Sequence, residues 1–568
     1  MNKTVLYAVC VIMGVIRAPV CAYGRLIQAR RNRQTFAVFL FLVFFPVFAG
    51  AAPFTMISAG DPALEDLRFL VVQSGKSFLS LTPPLSRDEV LLILEDIDTD
   101  ALSPAGWDAY NRIQDALNPK PLYSSGLFNM NAHIMTGVET RARTNPAVLW
   151  TQNQKDSPSL LELSVHLSVA DRVQLVMEPI VARSMSYYDE YGPYFGTNIP
   201  FDLGHETGLL PLRAFLATGG SWWNFEIGRD RLSYGLGRTG DLALSDTPDY
   251  YDMARFSLFL SMFKYSVLVS QMPLMLERIA PNVSENVLSQ TTQRHLYAHR
   301  VDVRLFRRLS LGLTEGMMVG NSPLEVRFLN PFTIFHSFAA WRNYGAWTGT
   351  DLERADMVGS LFSLDVQWAV LPAFSLYGQF VMNEWATPYE REDTGTLAPN
   401  ATGFLAGAEY VRDVAGWAAS FYAECLYTDP YLYMLSTPFA SYIWMRSDSA
   451  PLRYSWIGHP EGRDTIMYAA GTSFSKENLG FSLNVSFVQK GIHTLQWEWG
   501  MGPAYSDQRT PSGIPEHKLS LAIGATWKPL AWMEVSAQAG GSMIDNHAHT
   551  SGIREYGLDA MMNIRFIY

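Results

Sequence analysis

The chain lacks three things that would place it among common protein classes. Its longest apolar run, Thr35 to Phe48, has about 14 residues, whereas a membrane-spanning helix needs about 20. Its three cysteines are Cys10, Cys21 and Cys425, which provide neither a disulfide scaffold nor zinc-ligand spacing. Charged residues make up only 17% of a chain of 568 residues. The chain therefore has no run long enough for an ordinary spanning helix and is neither a disulfide-rich domain nor a zinc protein, and its low charge argues against several ordinary soluble domains.

The first 51 residues have the features of a leader. Basic residues precede the apolar run from Thr35 to Phe48, and small residues typical of a cleavage site follow it at 49–51. We predict a signal peptide within residues 1–51, with translation beginning between residues 26 and 30. An uncleaved membrane anchor is the alternative. Cleavage removes six basic residues and leaves 37 basic against 54 acidic, a net charge of −17, which argues against a nucleic-acid partner.

Three stretches resemble cofactor-binding or metal-binding motifs, but each lacks the neighbouring residues or secondary structure that the motif requires. Gly235-x-Gly237-x-x-Gly240 matches a dinucleotide-binding fingerprint, but that motif must follow a fully buried strand and open a helix. Here the preceding residues alternate apolar and polar, and Pro248 comes too soon for a helix. Asp96–Asp100 lacks the glycine and glutamate of a calcium loop, and the pair His547 and His549 is a weak metal signal. We predict no catalytic residues, no metal site and no cofactor.

A small helical segment is predicted over residues 60–119. Asp61-Pro62 and Ser103-Pro104 each place a capping residue before a proline at the first helical position. Ser86 and Glu89 have the spacing of a capping box. The three short helices are too few to form a stable core alone, so we expect them to form a periplasmic bundle or a plug against a larger body.

From residue 124 to 568 the apolar pattern changes to a period of two. Leu161 to Val169, Phe481 to Phe487 and Leu519 to Ala525 alternate apolar with polar or small residues. Runs of about 9–11 residues are the length of membrane-spanning strands. Short turns such as Asp171-Arg172 alternate with long loops. The pattern predicts an all-β, antiparallel transmembrane barrel of about 18 strands, closed because unpaired backbone groups are costly in hydrocarbon.

The last strand supports an outer-membrane location. Residues 558–568 alternate and end on the aromatic Tyr568, which resembles the signal read by the bacterial barrel-assembly machinery. We therefore expect that machinery and outer-membrane lipid as partners, and a monomer.

Several short motifs follow one another over most of residues 60–568: Leu85 to Val90, Gly228-Arg229, Tyr234 to Ser245, His299-Arg300, Leu329 to Phe332, Leu376 to Phe380 and His459 to Asp464. In composition and order they resemble the motifs of the Wzi family of capsule-assembly outer-membrane proteins. Tyr234 stands where that family usually has tryptophan, and Leu236 where it has proline. The resemblance implies an 18-stranded barrel with a periplasmic helical bundle and a role as a surface lectin that holds capsular polysaccharide.

Aromatic side chains beside polar groups are the residues that bind sugars, and they cluster in the predicted external loops. The candidate glycan-binding residues are Tyr187, Tyr188, Tyr191, Tyr194, Trp341, Trp347, Trp497 and Trp499. A membrane-interface girdle is the alternative interpretation. We expect Glu226, Arg229 and Arg231 to face the lumen, where they either bind solute or form a salt-linked network. Two functions remain open: polysaccharide binding or assembly at the cell surface, and a porin or solute channel for passive diffusion.

Overall fold

The computed structural model describes most of the chain after residue 53. The described residues are 54–151, 159–183, 194–199, 206–275, 279–280, 291–320, 323–330, 332–335, 358–385, 398–446, 453–500, 502–506 and 508–568. The predicted leader lies outside them.

Eighteen long antiparallel strands in the described residues form a closed barrel, as the alternating pattern predicted. The last strand pairs with the first, with Asn563 opposite Glu139, so the sheet has no free edge. The strands are β1 (Phe128–Arg143), β2 (Leu161–Val169), β3 (Val173–Arg183), β4 (Glu206–Gly220), β5 (Trp223–Asp230), β6 (Tyr251–Phe259), β7 (Phe263–Gln271), β8 (Arg294–Leu305), β9 (Leu309–Gly320), β10 (Val358–Leu371), β11 (Phe374–Glu384), β12 (Ala401–Val414), β13 (Trp417–Thr428), β14 (Thr465–Lys476), β15 (Leu479–Lys490), β16 (Glu516–Leu530), β17 (Met533–Asp545) and β18 (Arg554–Ile567).

The barrel also carries short strands, two-stranded ribbons and single helical turns. Tyr123–Ser125 and Phe195–Thr197 add to β1, and three two-stranded ribbons are not hydrogen-bonded into the barrel sheet. The ribbons pair Met56–Ile57 with Leu85–Ser86, Leu274–Met275 with Thr291–Thr292, and Ile443–Arg446 with Arg453–Trp456. Single helical turns occupy Thr99–Ala101, Val326–Leu329, Pro438–Ala440, Pro503–Ser506 and His547–His549.

The two ends of the barrel differ in the length of their connections. At one end, here the turn end, strands are joined by two or three residues, as between β2 and β3 or β12 and β13. At the other end, the loop end, connections are much longer, as in the 36 residues between β13 and β14. Short turns face the periplasm and long loops face outward in outer-membrane barrels.

Side chains alternate between the lumen and the outer face along each strand. In β7, Lys264, Ser266 and Leu268 point inward and are buried, while Tyr265 and Val267 point outward. A spanning strand presents alternate faces to lipid and to the barrel interior, and this explains the period-two pattern of the sequence.

The helical segment forms three helices at the predicted positions: α1 (Pro62–Gln73), α2 (Arg87–Leu94) and α3 (Pro104–Leu117). The side chains of Asp61, Ser86 and Ser103 cap them, as predicted. The capping box is only half formed, because Glu89 turns its carboxylate to Lys264 on the barrel wall instead of to its own helix end. None of the described helices is long and apolar enough to cross a membrane.

The helices lie against the inside of the barrel near the turn end. Their apolar cluster includes Val411 and Ala418 from the wall. The backbone N–H of Ser77 donates to the carbonyl of Arg307 in a turn at 3.0 Å, and that of Phe78 donates to Gln367 at 2.9 Å. The segment therefore occupies the lumen at this end and is bonded directly to the wall.

Candidate functional site

The loop between β5 and β6 contains the glycine-rich stretch and folds into the lumen. Tyr234, Leu242 and Leu244 are buried there, and the N–H of Tyr234 donates to the carbonyl of Leu244 at 2.9 Å. The N–H of Gly237 donates to the Asp241 carboxylate at 2.9 Å. The glycines thus make a tight internal turn, since a Cβ on Gly237 would lie 2.1 Å from a backbone oxygen.

This inward loop connects the helices to the wall through buried charges. Arg238 pairs with Glu65 of α1 and with Glu409 of β12. Arg68 of α1 pairs with the same Glu409 at 2.7 Å and donates to the carbonyl of Leu236 at 2.8 Å. Burial lowers the pKa of Arg238, but the carboxylates of Glu409 and Glu65 raise it above its ordinary value. The network fixes helix, loop and wall as one unit.

The loop between β13 and β14 also folds into the lumen and packs against that turn. The Tyr433 hydroxyl donates to the carbonyl of Leu242 at 2.6 Å, and Tyr442 donates to the carbonyl of Gly359 at 3.2 Å. The ribbon that contains Trp444 packs in the same apolar cluster. The lumen is therefore occupied at the loop end by inward-folded loops and at the turn end by helices.

An aromatic cluster lies at the loop end, where the loop after β13 meets the loop after β15. The Tyr431 ring lies edge-on to the rings of Trp499 and Tyr505, with centroid distances of 6.1 and 6.3 Å, and its centroid is 5.4 Å from that of His493. Tyr505 is exposed and Trp499 is half-buried, whereas Tyr431 is buried. We call these four residues the mouth cluster. Its outer members can present ring faces to a ligand.

Charged and amide groups surround the mouth cluster. One Glu498 carboxylate oxygen lies 2.6 Å from Nδ1 of His493 and accepts from Arg463 at 3.4 Å, while the side chain remains half exposed. Nε2 of His493 lies 2.8 Å from Oε1 of Gln508. Burial lowers the pKa of Arg463 to about 10, against the raising effect of Glu498. Burial also raises the pKa of Tyr431 to about 12. The arrangement offers hydrogen-bonding groups next to aromatic rings, as sugar hydroxyls require.

Three of the predicted glycan residues lie in described parts of the chain. Trp497 and Trp499 belong to the loop after β15, so they are not part of a strand-borne girdle. The indole N–H of Trp497 donates to the carbonyl of Leu435 at 2.9 Å and its ring packs on the lumen cluster, which gives it a structural role. Tyr194 is 60% exposed at the edge of a short strand, apart from the mouth cluster. The other candidates, Tyr187, Tyr188, Tyr191, Trp341 and Trp347, lie outside the described residues.

Of the three charged residues expected in the lumen, two lie inside the barrel and one lies on its outer face. Glu226 lies buried on the inner face of β5, opposite Arg255 of β6. Arg231 follows the end of β5 and lines an internal cavity of about 280 Å³ with Glu178 and Arg213. Arg229 does not face the lumen: it bonds Asp252 at 2.8 Å on the outer face. Because the period is two, residues three apart in a strand point to opposite sides.

The other charged motifs of the sequence have structural partners. Asp96 pairs with Arg304 of β8, and Asp98 caps the turn that follows it. Nδ1 of His549 lies 2.9 Å from the carbonyl oxygen of Ile514. Among the described residues, no group of three or more histidine, cysteine or carboxylate side chains is placed to hold a metal ion.

Four residues near the mouth were not singled out from the sequence: Tyr431, His493, Tyr505 and Arg463. They come from two loops and meet only in the fold, so no spacing along the chain connects them. The available signal was the neighbouring Trp497-Glu498-Trp499, together with aromatic residues 431 and 433 in the preceding loop.

Comparisons with known proteins agree with this architecture. The profile of the family described as capsule assembly protein Wzi matches residues 151–554. A similar solved structure is that of Wzi from Escherichia coli, an outer-membrane protein involved in group 1 capsule assembly and described as a carbohydrate-binding β-barrel. It is 15% identical, covers 90% of this chain and 99% of its own, and has a TM-score of 0.57.

More distant similarities were also found. OccD3 of Pseudomonas aeruginosa is 8% identical and covers 79% of this chain and 95% of its own, with a TM-score of 0.38. OccAB3 of Acinetobacter baumannii is 9% identical and covers 77% and 99%, with a TM-score of 0.37. No curated protein matches the chain. On the family match, which spans more than half of its length, the chain belongs to the Wzi family of capsule assembly proteins and is an outer-membrane β-barrel.

Proposed function

We propose that this barrel binds a surface polysaccharide, capsular or secreted, at its loop end and helps to attach or assemble it at the cell surface. The observation that carries the proposal is the mouth cluster, in which Trp499 and Tyr505 lie beside the half-exposed Glu498. Flat ring faces next to hydrogen-bonding groups suit a sugar. The E. coli relative, described as a carbohydrate-binding barrel, adds support.

The filled lumen makes the alternative, a passive diffusion channel, the weaker candidate. Helices α1–α3 occupy the turn end, and the loops around Leu242 and Tyr433 occupy the loop end. A barrel of 18 strands encloses a wide lumen unless something fills it. A non-enzymatic scaffold with an external binding surface is consistent with that occupancy.

Two further roles belong to this proposal. Residues 60–119 act as a plug, because their buried ion pairs to the wall would be lost if they left the lumen. The C-terminal Tyr568 is read by the barrel-assembly machinery: it is 69% exposed, and its backbone exchanges hydrogen bonds with Ile134 of β1 at 2.8 and 3.0 Å. We propose a monomer as the functional unit.

The test is binding of the purified full chain to an array of bacterial polysaccharides. Replacing Trp499 or Tyr505 with alanine should weaken binding about tenfold, since an aromatic contact contributes up to about 1.5 kcal/mol. Trp532→Ala is the matched control, because Trp532 is exposed at the turn end and should not affect binding. The triple change of Tyr187, Tyr188 and Tyr191 to alanine tests the loop cluster predicted from the sequence. Binding that is absent, or equal in all variants, contradicts the proposal.

A further inference from the structure

Part of the loop after β9 lies against the outer face of the barrel. The ring of Phe328 packs on that of Tyr297 with a centroid distance of 5.1 Å, and the ring of Phe335 packs on that of His299 with a centroid distance of 4.2 Å. These two β8 residues point outward, because they alternate with Arg300, which bonds Asp302 and Asp365 inside. The N–H of Glu325 donates to the Tyr297 hydroxyl at 2.8 Å. Residues 323–330 and 332–335 therefore form a ridge on the membrane side of the wall, with the rings of Phe328 and Phe335 turned onto it.

An apolar groove runs along the wall beside this ridge. Its volume is about 620 Å³, within the range of about 300–1,000 Å³ that small-molecule sites occupy. Outward-facing residues of three neighbouring strands and two residues of the ridge line it: Phe225, Ala254, Phe256, Leu258, Phe263, Tyr265, Val267, Val269, Leu329 and Phe332. Arg255 also borders it, but turns its guanidinium to the lumen, where it donates to the carbonyl of Thr82 at 3.1 Å.

One small residue, Ala254, lies among the large residues that line the groove. Ala254 of β6 lies between Val269 of β7 and Ile227 of β5 in the sheet register. Phe256 follows on the same face, and Phe332 projects from the ridge with 91% of its side chain exposed. A much larger side chain at this position would project into the groove and occupy part of it.

The groove follows the direction in which lipid chains lie. Its outward residues on β7, from Phe263 to Val269, cover about 20 Å of strand. That strand crosses the membrane, so the long axis of the groove has a component along the bilayer normal. The ridge belongs to a loop-end connection, which places its upper end toward the outer leaflet.

The chemistry of the lining selects the occupant. A sugar would find almost no hydrogen-bonding group among these side chains and would lose its own water. Hydrocarbon already surrounds the outer face of a membrane barrel, and a chain seated between Phe256 and Phe332 gains dispersion contacts on several sides. We propose that this groove binds one fatty acyl chain of an outer-leaflet lipid, a site separate from the glycan surface at the mouth.

Photolabelling of the full chain in lipid vesicles tests the site. The vesicles contain phosphatidylethanolamine and a phospholipid with a diazirine near the end of one acyl chain, and adducts are mapped by peptide mass spectrometry. We expect adducts concentrated on Val267, Leu329 and Phe332, above the level on other outward-facing residues such as Ile523. Ala254→Trp, which places an indole ring in the groove, should lose this excess.

Two controls keep the result interpretable. Ala539→Trp places the same large ring on the outer face of β17, away from the groove, and should keep the excess labelling. Phe332→Ser changes only the ridge and should reduce the adduct on Val267 even if Ala254→Trp assembles poorly. Equal labelling of all outward faces would show ordinary surrounding lipid and overturn the proposal. An unlabelled groove, filled by another part of the chain or by a second copy, would also overturn it.

Discussion

Arg68 of α1 bonds Glu409 of β12 at 2.7 Å, with both side chains almost fully buried. Glu409 also pairs with Arg238 of the inward loop, so one carboxylate holds a helix and a loop to the barrel wall. Buried ion pairs add little net stability compared with apolar packing, but removing one partner leaves an uncompensated charge. The position of the helical segment therefore depends strongly on this carboxylate.

Replacing Glu409 with leucine should release the helical segment from the wall. The buried Arg68 would then lack its carboxylate, at a cost of about 3–5 kcal/mol, and Arg238 would keep only Glu65 of its two partners. We expect faster proteolytic cleavage within residues 54–118 in detergent, while the barrel stays intact. Arg112→Ala is the control, because Arg112 pairs with Asp66 within the helical segment and is 38% exposed; its effect should be below about 1 kcal/mol. Unchanged cleavage in Glu409→Leu would show that the network does not hold the segment.

The internal glycine turn should tolerate no side chain. Gly240 has a φ of +137°, and a Cβ there would lie 2.4 Å from the ring of Pro460. Gly240→Ala should cost about 1–3 kcal/mol through backbone strain alone, with the clash in addition. The readout is the fraction of protein that reaches the heat-modifiable barrel form on gels. Gly480→Ala, where the nearest atom lies 3.8 Å away, should assemble normally, and equal yields for the two variants would contradict the account.

Asp241 should make stability depend on pH. Burial raises the pKa of Asp241 to about 7, although hydrogen bonds from Ser233 and Gly237 lower it. The folded state then holds a proton that the unfolded state releases near pH 4, so this contribution is present at low pH and is lost as pH rises through about 7. The loss is on the order of 4 kcal/mol.

The measurement is the apparent melting temperature in detergent between pH 4 and 8. Asp241→Asn, which keeps an acceptor but cannot ionise, should be stabilised relative to wild type increasingly as pH rises to about 7, and the difference should then level off. Asp108→Asn, at an exposed position on α3, serves as the control and should follow the wild-type profile. Parallel profiles for Asp241→Asn and wild type would show that Asp241 is ionised throughout the range.

Substitutions at Trp497 and Trp499 should have different effects: one should lower the melting temperature and the other the glycan affinity. Trp497→Phe keeps a ring but loses the hydrogen bond to Leu435, which should cost about 1 kcal/mol and lower the melting temperature with little change in glycan affinity. Trp499→Ala should do the reverse, as its half-buried ring lies at the mouth. The two variants are compared by thermal unfolding and by polysaccharide binding. If Trp497→Phe impairs binding more than Trp499→Ala does, the assignment is wrong.

The barrel and its helices were predictable because their signals are local. Alternation over Leu161–Val169 fixes which side chains face lipid, and Asp61, Ser86 and Ser103 mark helix starts without knowledge of the rest. The outward orientation of Arg229 could also be predicted from the sequence, since Arg229 lies three residues from the inward-facing Glu226.

The contents of the lumen were not predictable in the same way. Tyr234, Leu242 and Tyr433 are apolar or aromatic residues in connections that the sequence marks only as long loops. Their inward folding depends on the barrel being wide enough to receive them, which is a property of the closed sheet. The mouth cluster likewise joins Tyr431 and Trp499 from loops about 70 residues apart, without a periodic pattern between them.

Single-channel recording in planar bilayers tests the filled barrel most directly. The protein without residues 1–51 is predicted to give no steady open steps, because helices and inward loops occupy the lumen at both ends. Stable open steps in the wild-type protein would contradict this account and favour a diffusion channel.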